Sequence, residues 1–206
     1  EILRCLVGSE MCIRDRNLIE KYGVSPSEIL VVTFTKAAAM EMKERFLSLT
    51  NQTSTTATFG TFHAVFFTVL KYAYHYRAEN IIRDEQKVVF IRNLLRHFPI
   101  DYEDENECIQ TLLSEISGVK NSNIPIEHYY SSNFPEHTFR DVFMNYQKML
   151  QKNRLIDFDD MLVYTYELFS QRKDILALWQ KKFRYILIDE FQAVSYTHLR
   201  AHETSQ

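Results

Sequence analysis

Two adjacent acids, Asp189 and Glu190, follow the fully apolar run Tyr185-Ile-Leu-Ile188. Such a run reads as a strand buried on both faces of a parallel sheet, and ligands bind where parallel strands end. Acids placed there suit metal–nucleotide chemistry. One carboxylate can hold magnesium, directly or through water, because magnesium takes oxygen ligands. The other can orient and deprotonate an attacking water. On its own the pair serves equally well to solvate a loop, so these residues alone leave both readings open.

Thr33-Phe-Thr-Lys-Ala-Ala-Ala39 closes a second apolar run, Ile29-Leu-Val-Val32, and opens a helix. Free amides and the helix dipole make such a turn a natural phosphate site, and Phe34 offers a stacking face for a base. A core Phe34 and a solvated Lys36 would account for the same residues. Gly60-Thr-Phe-His-Ala64 follows another strand. Its Thr61 and His63 could donate to backbone phosphates, and a histidine among aromatics is equally at home in a core. Asp157-Phe-Asp-Asp160 places three acids in four residues. Asp157 fits a helix N-cap as well as it fits chemistry.

The elements that must position these groups follow from periodicity. Residues 17–22 read as the last turns of a helix, with Gly23 as its stop and Pro26 beyond it. Lys36 to Leu47 is a helix rich in Ala and Met, and Glu41 can pair with Arg45 at i,i+4. Thr55 to Phe59 alternates as a strand, and Phe62 to Tyr76 is an aromatic helix. Val88, Ile91, Leu95 and Phe98 keep helical spacing, as do Phe139, Val142, Phe143, Tyr146, Met149 and Leu150. Asp101 to Glu107 reads as a solvated acidic loop, and further helices cover Asp159–Ser170 and Asp174–Phe183. Strand, helix, strand, a long helical stretch and a returning strand predict an α/β sheet domain interrupted by a helical insertion.

Composition excludes several classes. The 206 residues are 46% hydrophobic and 14% aromatic, ample for a core rather than a disordered chain. The net charge of -3 shows no global basic excess, so a nucleic-acid site would have to be a local cleft. No apolar run approaches the roughly 18 residues of a membrane span, and a cytoplasmic setting is the default without a leader pattern. Cys5, Cys12 and Cys108 are odd in number and form no C-x-x-C, against both a disulfide framework and a zinc site. None of the four glycines (Gly8, Gly23, Gly60 and Gly118) precedes a lysine, so neither G-x-x-x-x-G-K-[ST] nor G-x-G-x-x-G occurs.

Taken in order, four segments resemble the UvrD/Rep/PcrA family of superfamily 1 DNA helicases. Ile29 to Arg45 is similar to motif Ia, Gly60 to Ala64 to motif Ib, Leu155-Ile-Asp-Phe-Asp-Asp-Met-Leu162 to the L-D-F-x-D-L element, and Tyr185 to Gln192 to motif II, the Walker B segment. Gly118-Val-Lys-Asn121 and Tyr146-Gln147 sit where that family's helical insertion carries similar short signatures. The resemblance covers essentially all of Asn17 to Gln192.

It implies a partial RecA-like (P-loop NTPase) parallel-sheet domain with an inserted helical subdomain. It also implies an ATP-dependent motor moving 3′ to 5′ on single-stranded DNA and acting at duplex junctions, with ATP and magnesium as cofactors. Asp189 would bind magnesium, Glu190 would activate water, and Gln192 would link the nucleotide to DNA. Phe34 would contact a base, with Thr33, Thr35 and Lys36 beside it, and Thr61 and His63 would meet the DNA backbone. Asp157 and Asp160 would take a structural or coupling role. Two departures stand out: Lys36-Ala37 replaces the usual Asn-Lys, and Ala193-Val194 follows Gln192 where Asp and then Thr or Ile are expected. A helicase subunit of an AddAB- or RecBCD-like helicase–nuclease, and a non-catalytic DNA-binding module, are the alternatives.

Residues 1–16 and 193–206 resemble translated sequencing-adapter read-through and are expected to be foreign to the fold. The expected organisation between them is motor domain over 17–82, helical insertion over 83–154 and return to the motor domain over 155–192. On this reading the phosphate loop belongs before Asn17. The chain itself would then be inactive towards ATP, with a sheet edge left open.

Overall fold

A computed structural model describes residues 2–4 (backbone only), 17–98, 100, 102–122 and 124–189. Glu190 and Gln192 lie outside the described residues. The chain divides into two compact units: residues 1–69 with 166–206, and residues 70–165.

The first unit is built on a parallel sheet of β1 (Ile2–Arg4), β2 (Ile29–Thr33), β3 (Thr58–Thr61) and β4 (Tyr185–Ile188), in the order β1-β4-β2-β3. Every residue of β2 is buried, and its alternation divides them between two faces. Ile29 and Val31 pack with Leu18, Val24, Met42 and Leu187, while Leu30 and Val32 pack with Phe183. A strand with apolar contacts on both faces needs an unbroken apolar run, and each such side chain contributes about 1.5–3 kcal/mol by burial.

Helix α1 (Lys36–Leu49) buries Ala39, Met42 and Phe46 at helical spacing, and Arg45 does pair with Glu41. Helix α2 (Phe62–Tyr74) follows β3 directly. Residues 17–20 are helical, and Gly23 has φ +65, the left-handed stop expected of it.

Three expectations need correction here. Strand β3 starts at Thr58, not Thr55, because the Thr55 hydroxyl accepts a hydrogen bond from the Ala57 amide at 3.1 Å and bends the chain before the ladder begins. Helix α2 ends at Tyr74, two residues early, where His75 turns left-handed at φ +58. No element was expected at Ile2–Arg4, yet it pairs in parallel with β4, so β4 is not the edge of this sheet.

The second unit holds α3 (Asp84–Leu95), α4 (Glu105–Ser122), α5 (Glu136–Lys152) and the start of α6 (Phe158–Gln171). Helix α7 (Lys173–Lys182) returns the chain to the sheet. The predicted stripes form one core in which Ile91, Ile109, Leu112, Phe139, Val142 and Leu150 are fully buried. The acidic stretch is not all loop. The Asp104 carboxylate accepts from the Asn106 and Glu107 amides, so Glu105 and Glu107 enter the first turn of α4, where the helix dipole favours them.

Two distant stretches of this unit are joined. Asn80 Nδ2 donates to the Arg154 carbonyl at 2.9 Å, Arg154 Nη2 donates to the Tyr74 carbonyl at 2.9 Å, and Ile81 and Ile156 form a parallel bridge.

Candidate nucleotide and nucleic-acid site

The candidate residues of the sheet unit gather at one edge. Val32 is in register with both Gly60 and Ile188, and Thr33 with Thr61. The Asp189 amide donates to the Val32 carbonyl at 3.0 Å, which carries the ladder one residue past β4 and places a half-buried acid at the strand ends. Thr33, Thr61 and Asp189 thus lie on three neighbouring strands at their carboxyl ends, the location expected of a ligand site.

Two helices start from the same edge. The Thr35 hydroxyl caps α1 by accepting from the Ala38 amide at 3.1 Å, and the Thr61 hydroxyl accepts from the Ala64 amide at 3.2 Å in the first turn of α2. Each hydroxyl uses a lone pair for the cap and keeps its O–H available to donate. With two helix N-termini and the exposed Lys36 nearby, the edge suits phosphate oxygens.

Thr33 differs from the other candidates. It is only 1% exposed, and its hydroxyl donates to the Thr35 carbonyl at 2.8 Å. Its side chain shapes the turn from beneath and does not face outward. Phe34, by contrast, is 47% exposed. Its ring lies 5.8 Å from that of Phe62, centroid to centroid. Phe62 is a neighbour that the sequence reading did not single out, although it sits inside the Gly-Thr-Phe-His segment. His63 is half-buried in the first turn of α2.

Among the described residues no group of three or more His, Cys, Asp or Glu side chains could hold a metal ion. Asp189 is the carboxylate described at these strand ends, and it is half-buried there.

The acids of Asp157-Phe-Asp-Asp160 lie in the helical unit and face a different environment. Asp157 and Asp160 are 3% and 1% exposed. Lys120 Nζ donates to both, at 2.6 Å to Asp157 and 2.7 Å to Asp160. The Tyr146 hydroxyl donates to Asp157 at 3.1 Å, and Asn121 donates to Asp159 at 2.8 Å. Asp157 is also the N-cap that its spacing predicts, since it accepts from the Asp160 amide at 2.8 Å while Asp160 accepts from the Asp157 amide at 3.1 Å.

One cation between two carboxylates leaves a buried negative charge. Burial alone would push the Asp157 carboxyl up, but the adjacent Lys120 ammonium holds it below the ordinary carboxylate value. Burial, reinforced by the Asp157 charge, pushes Asp160 up to about 6 despite the same ammonium. The Gly118–Asn121 and Tyr146-Gln147 signatures thus converge on the acids of the third motif. This contact spans 37 and 40 residues of sequence, so no local pattern could reveal it.

The family model described as UvrD/REP helicase N-terminal domain matches residues 13–202. A probable DNA helicase II homolog of Mycoplasma capricolum is 36% identical over 184 residues, which cover 85% of this chain and 25% of that protein. The ATP-dependent DNA helicase PcrA of Bacillus subtilis is 31% identical over 181 residues, covering 85% and 24%. A putative ATP-dependent DNA helicase of the same species, YjcD, is 32% identical over 191 residues, covering 88% and 24%. The chain spans about a quarter of the length of these relatives.

Proposed function

This chain belongs to the UvrD/REP helicase family, and from that membership we propose that it is part of the first motor domain of an ATP-dependent helicase. The parent couples ATP hydrolysis to 3′-to-5′ movement on single-stranded DNA and opens duplex at junctions. The observation that carries this reading is the shared strand edge, where Asp189, the Phe34 ring and two capped helix N-termini come together.

In this reading Asp189 holds magnesium at the nucleotide. The bound magnesium–ATP supplies the phosphoanhydride to be cleaved. Glu190 orients and deprotonates the attacking water, and Gln192 relays the state of the nucleotide to the DNA. Phe34 stacks on a base, while Lys36 and the O–H groups of Thr35 and Thr61 meet phosphate oxygens, with His63 beside them. Thr33 holds the turn that presents Phe34. Asp157 and Asp160 are structural, binding α4 through Lys120 and α5 through Tyr146 to the start of α6. No glycine of residues 1–206 precedes a lysine, and we propose that the chain by itself binds DNA without turning over ATP.

Fluorescence anisotropy with a labelled single strand tests the DNA arm. Phe34→Ala should weaken binding about tenfold, since base–aromatic stacking is worth about 1–3 kcal/mol per base. Lys36→Ala should lower the slope of log affinity against log salt by about one. Wild-type affinity in Phe34→Ala would overturn the reading. Magnesium-dependent, DNA-stimulated phosphate release by the purified chain would overturn the proposed inactivity. No described helix is long and apolar enough to cross a membrane, and a cytoplasmic setting is part of the proposal.

A further inference from the structure

We infer that Phe62 is the positioning residue of the base-stacking surface, holding the Phe34 ring in the orientation in which a single-stranded base can lie on it. This rests on the DNA-motor reading above and deepens it. Phe34 and Phe62 reach each other from different segments. The register Thr33↔Thr61 sets the two strand ends side by side, and each aromatic is the next residue along its chain. The backbone at both positions is fixed. The Thr33 hydroxyl ties down the turn at the Thr35 carbonyl, Thr35 caps α1, and Thr61 holds the first turn of α2.

What remains free is rotation of the Phe34 side chain. A ring nearly half exposed has few contacts to restrain it. Phe62 provides one from below, with centroids 5.8 Å apart and ring planes at 60°, a tilted arrangement that aromatic pairs favour. Phe62 is anchored in turn. It is half-buried, packs against the cluster of Leu30, Val32 and Phe183, and contacts Phe66 at 6.2 Å and 53°. The three rings follow one another in a row, Phe34 exposed and Phe62 and Phe66 half-buried. Phe34 presents a face, Phe62 fixes its angle, and Phe66 braces Phe62. A ring fixed before binding spares the ligand the entropy of ordering it.

The test uses the whole chain and an oligothymidylate with one 2-aminopurine, read by anisotropy and by quenching of the aminopurine on stacking. Phe62→Leu keeps apolar volume but removes the ring. It should weaken binding about fivefold with an unchanged salt slope and lose most of the quenching. Phe62→Tyr should restore both. Phe66→Leu, in the same row of rings but two steps from Phe34, should lower the melting temperature and leave affinity and quenching alone. Phe62→Leu added to Phe34→Ala should cost nothing further, because the two act as one unit. If Phe62→Leu binds like wild type while Phe34→Ala is weakened, the inference fails and the motor reading stands. Additive losses, or a changed salt slope, would also overturn it by making Phe62 an independent contact. If Phe34→Ala itself binds like wild type, the motor reading fails.

Discussion

The sheet unit and the helical unit use the same polar residue types in opposite ways. At the strand edge, Asp189 is half-buried, Phe34 is half-exposed and the capping hydroxyls retain a proton to donate. In the helical unit, Asp157 and Asp160 are sealed against Lys120 and Tyr146. A cluster whose oxygens all face protein donors has little left for a ligand and a great deal to lose if one member goes. An edge whose capping hydroxyls still have a proton to donate keeps part of its hydrogen-bonding capacity uncommitted to the fold. The density of acids in a short stretch does not separate the two cases. The location of the compensating cation does.

The largest expected effect therefore lies in the helical unit. Lys120→Met leaves two buried carboxylates without their cation and should cost about 3–5 kcal/mol in urea unfolding followed by circular dichroism. Adding Asp157→Asn and Asp160→Asn should recover part of that loss. A cost below about 1 kcal/mol would erase the contrast between the units.

Asp160 titrates near 6 when folded, above the ordinary carboxylate value. Between those values the folded chain keeps a proton that the unfolded chain has released, so the Asp160 contribution falls as pH rises through that interval. Asp157 is shifted down, and its contribution is lost as pH falls below the ordinary carboxylate value. The stability gap between wild type and Asp160→Asn should accordingly narrow from pH 4 to pH 6. A gap independent of pH would show that the two acids do not share one cation unequally.

Glycines give a smaller and signed test. Gly118 lies within α4 with nothing within 4 Å of an added Cβ, so Gly118→Ala should stabilise by about 0.5–1 kcal/mol. Gly23 has φ +65, and Gly23→Ala should destabilise by about 1 kcal/mol. Smallest of all, Phe34→Ala and Lys36→Ala should move stability by less than about 0.5 kcal/mol, as surface positions do. Larger losses there would mean that the edge is core after all.

Much of the fold was legible because some signals are local. The runs at Ile29 and Tyr185 are apolar on both faces and form strands, the first buried throughout and the second buried at Leu187 and Ile188 but half-buried at Tyr185 and Ile186, and Gly23 ended its helix as its type predicts. Strand β3 was misplaced because Thr55 looks like a strand residue and behaves as a turn residue once its hydroxyl finds the Ala57 amide. The start of α4 was hidden by acids that read as solvated loop yet also suit a helix N-terminus. At the site, Asp189, Phe34 and Thr61 were legible as residues that follow or end strands. The inward turn of Thr33 and the support from Phe62 depend on pairing between strands, which spacing along one strand cannot show.

The closure between Asn80 and Arg154 also bears on folding order. These residues are 74 apart in sequence, so bringing them together from an open chain costs roughly 4 kcal/mol of loop entropy. Collapse of the local helices should therefore come before the closure. Once made, it shortens the path between the neighbourhoods of β2 and β4, which are separated by 156 residues along the chain, to about half. That lowers the entropic cost of their parallel pairing by only about 0.6 kcal/mol. The insertion is thus nearly neutral to the assembly of the sheet, and a long excursion of chain can sit between two paired strands with little kinetic penalty.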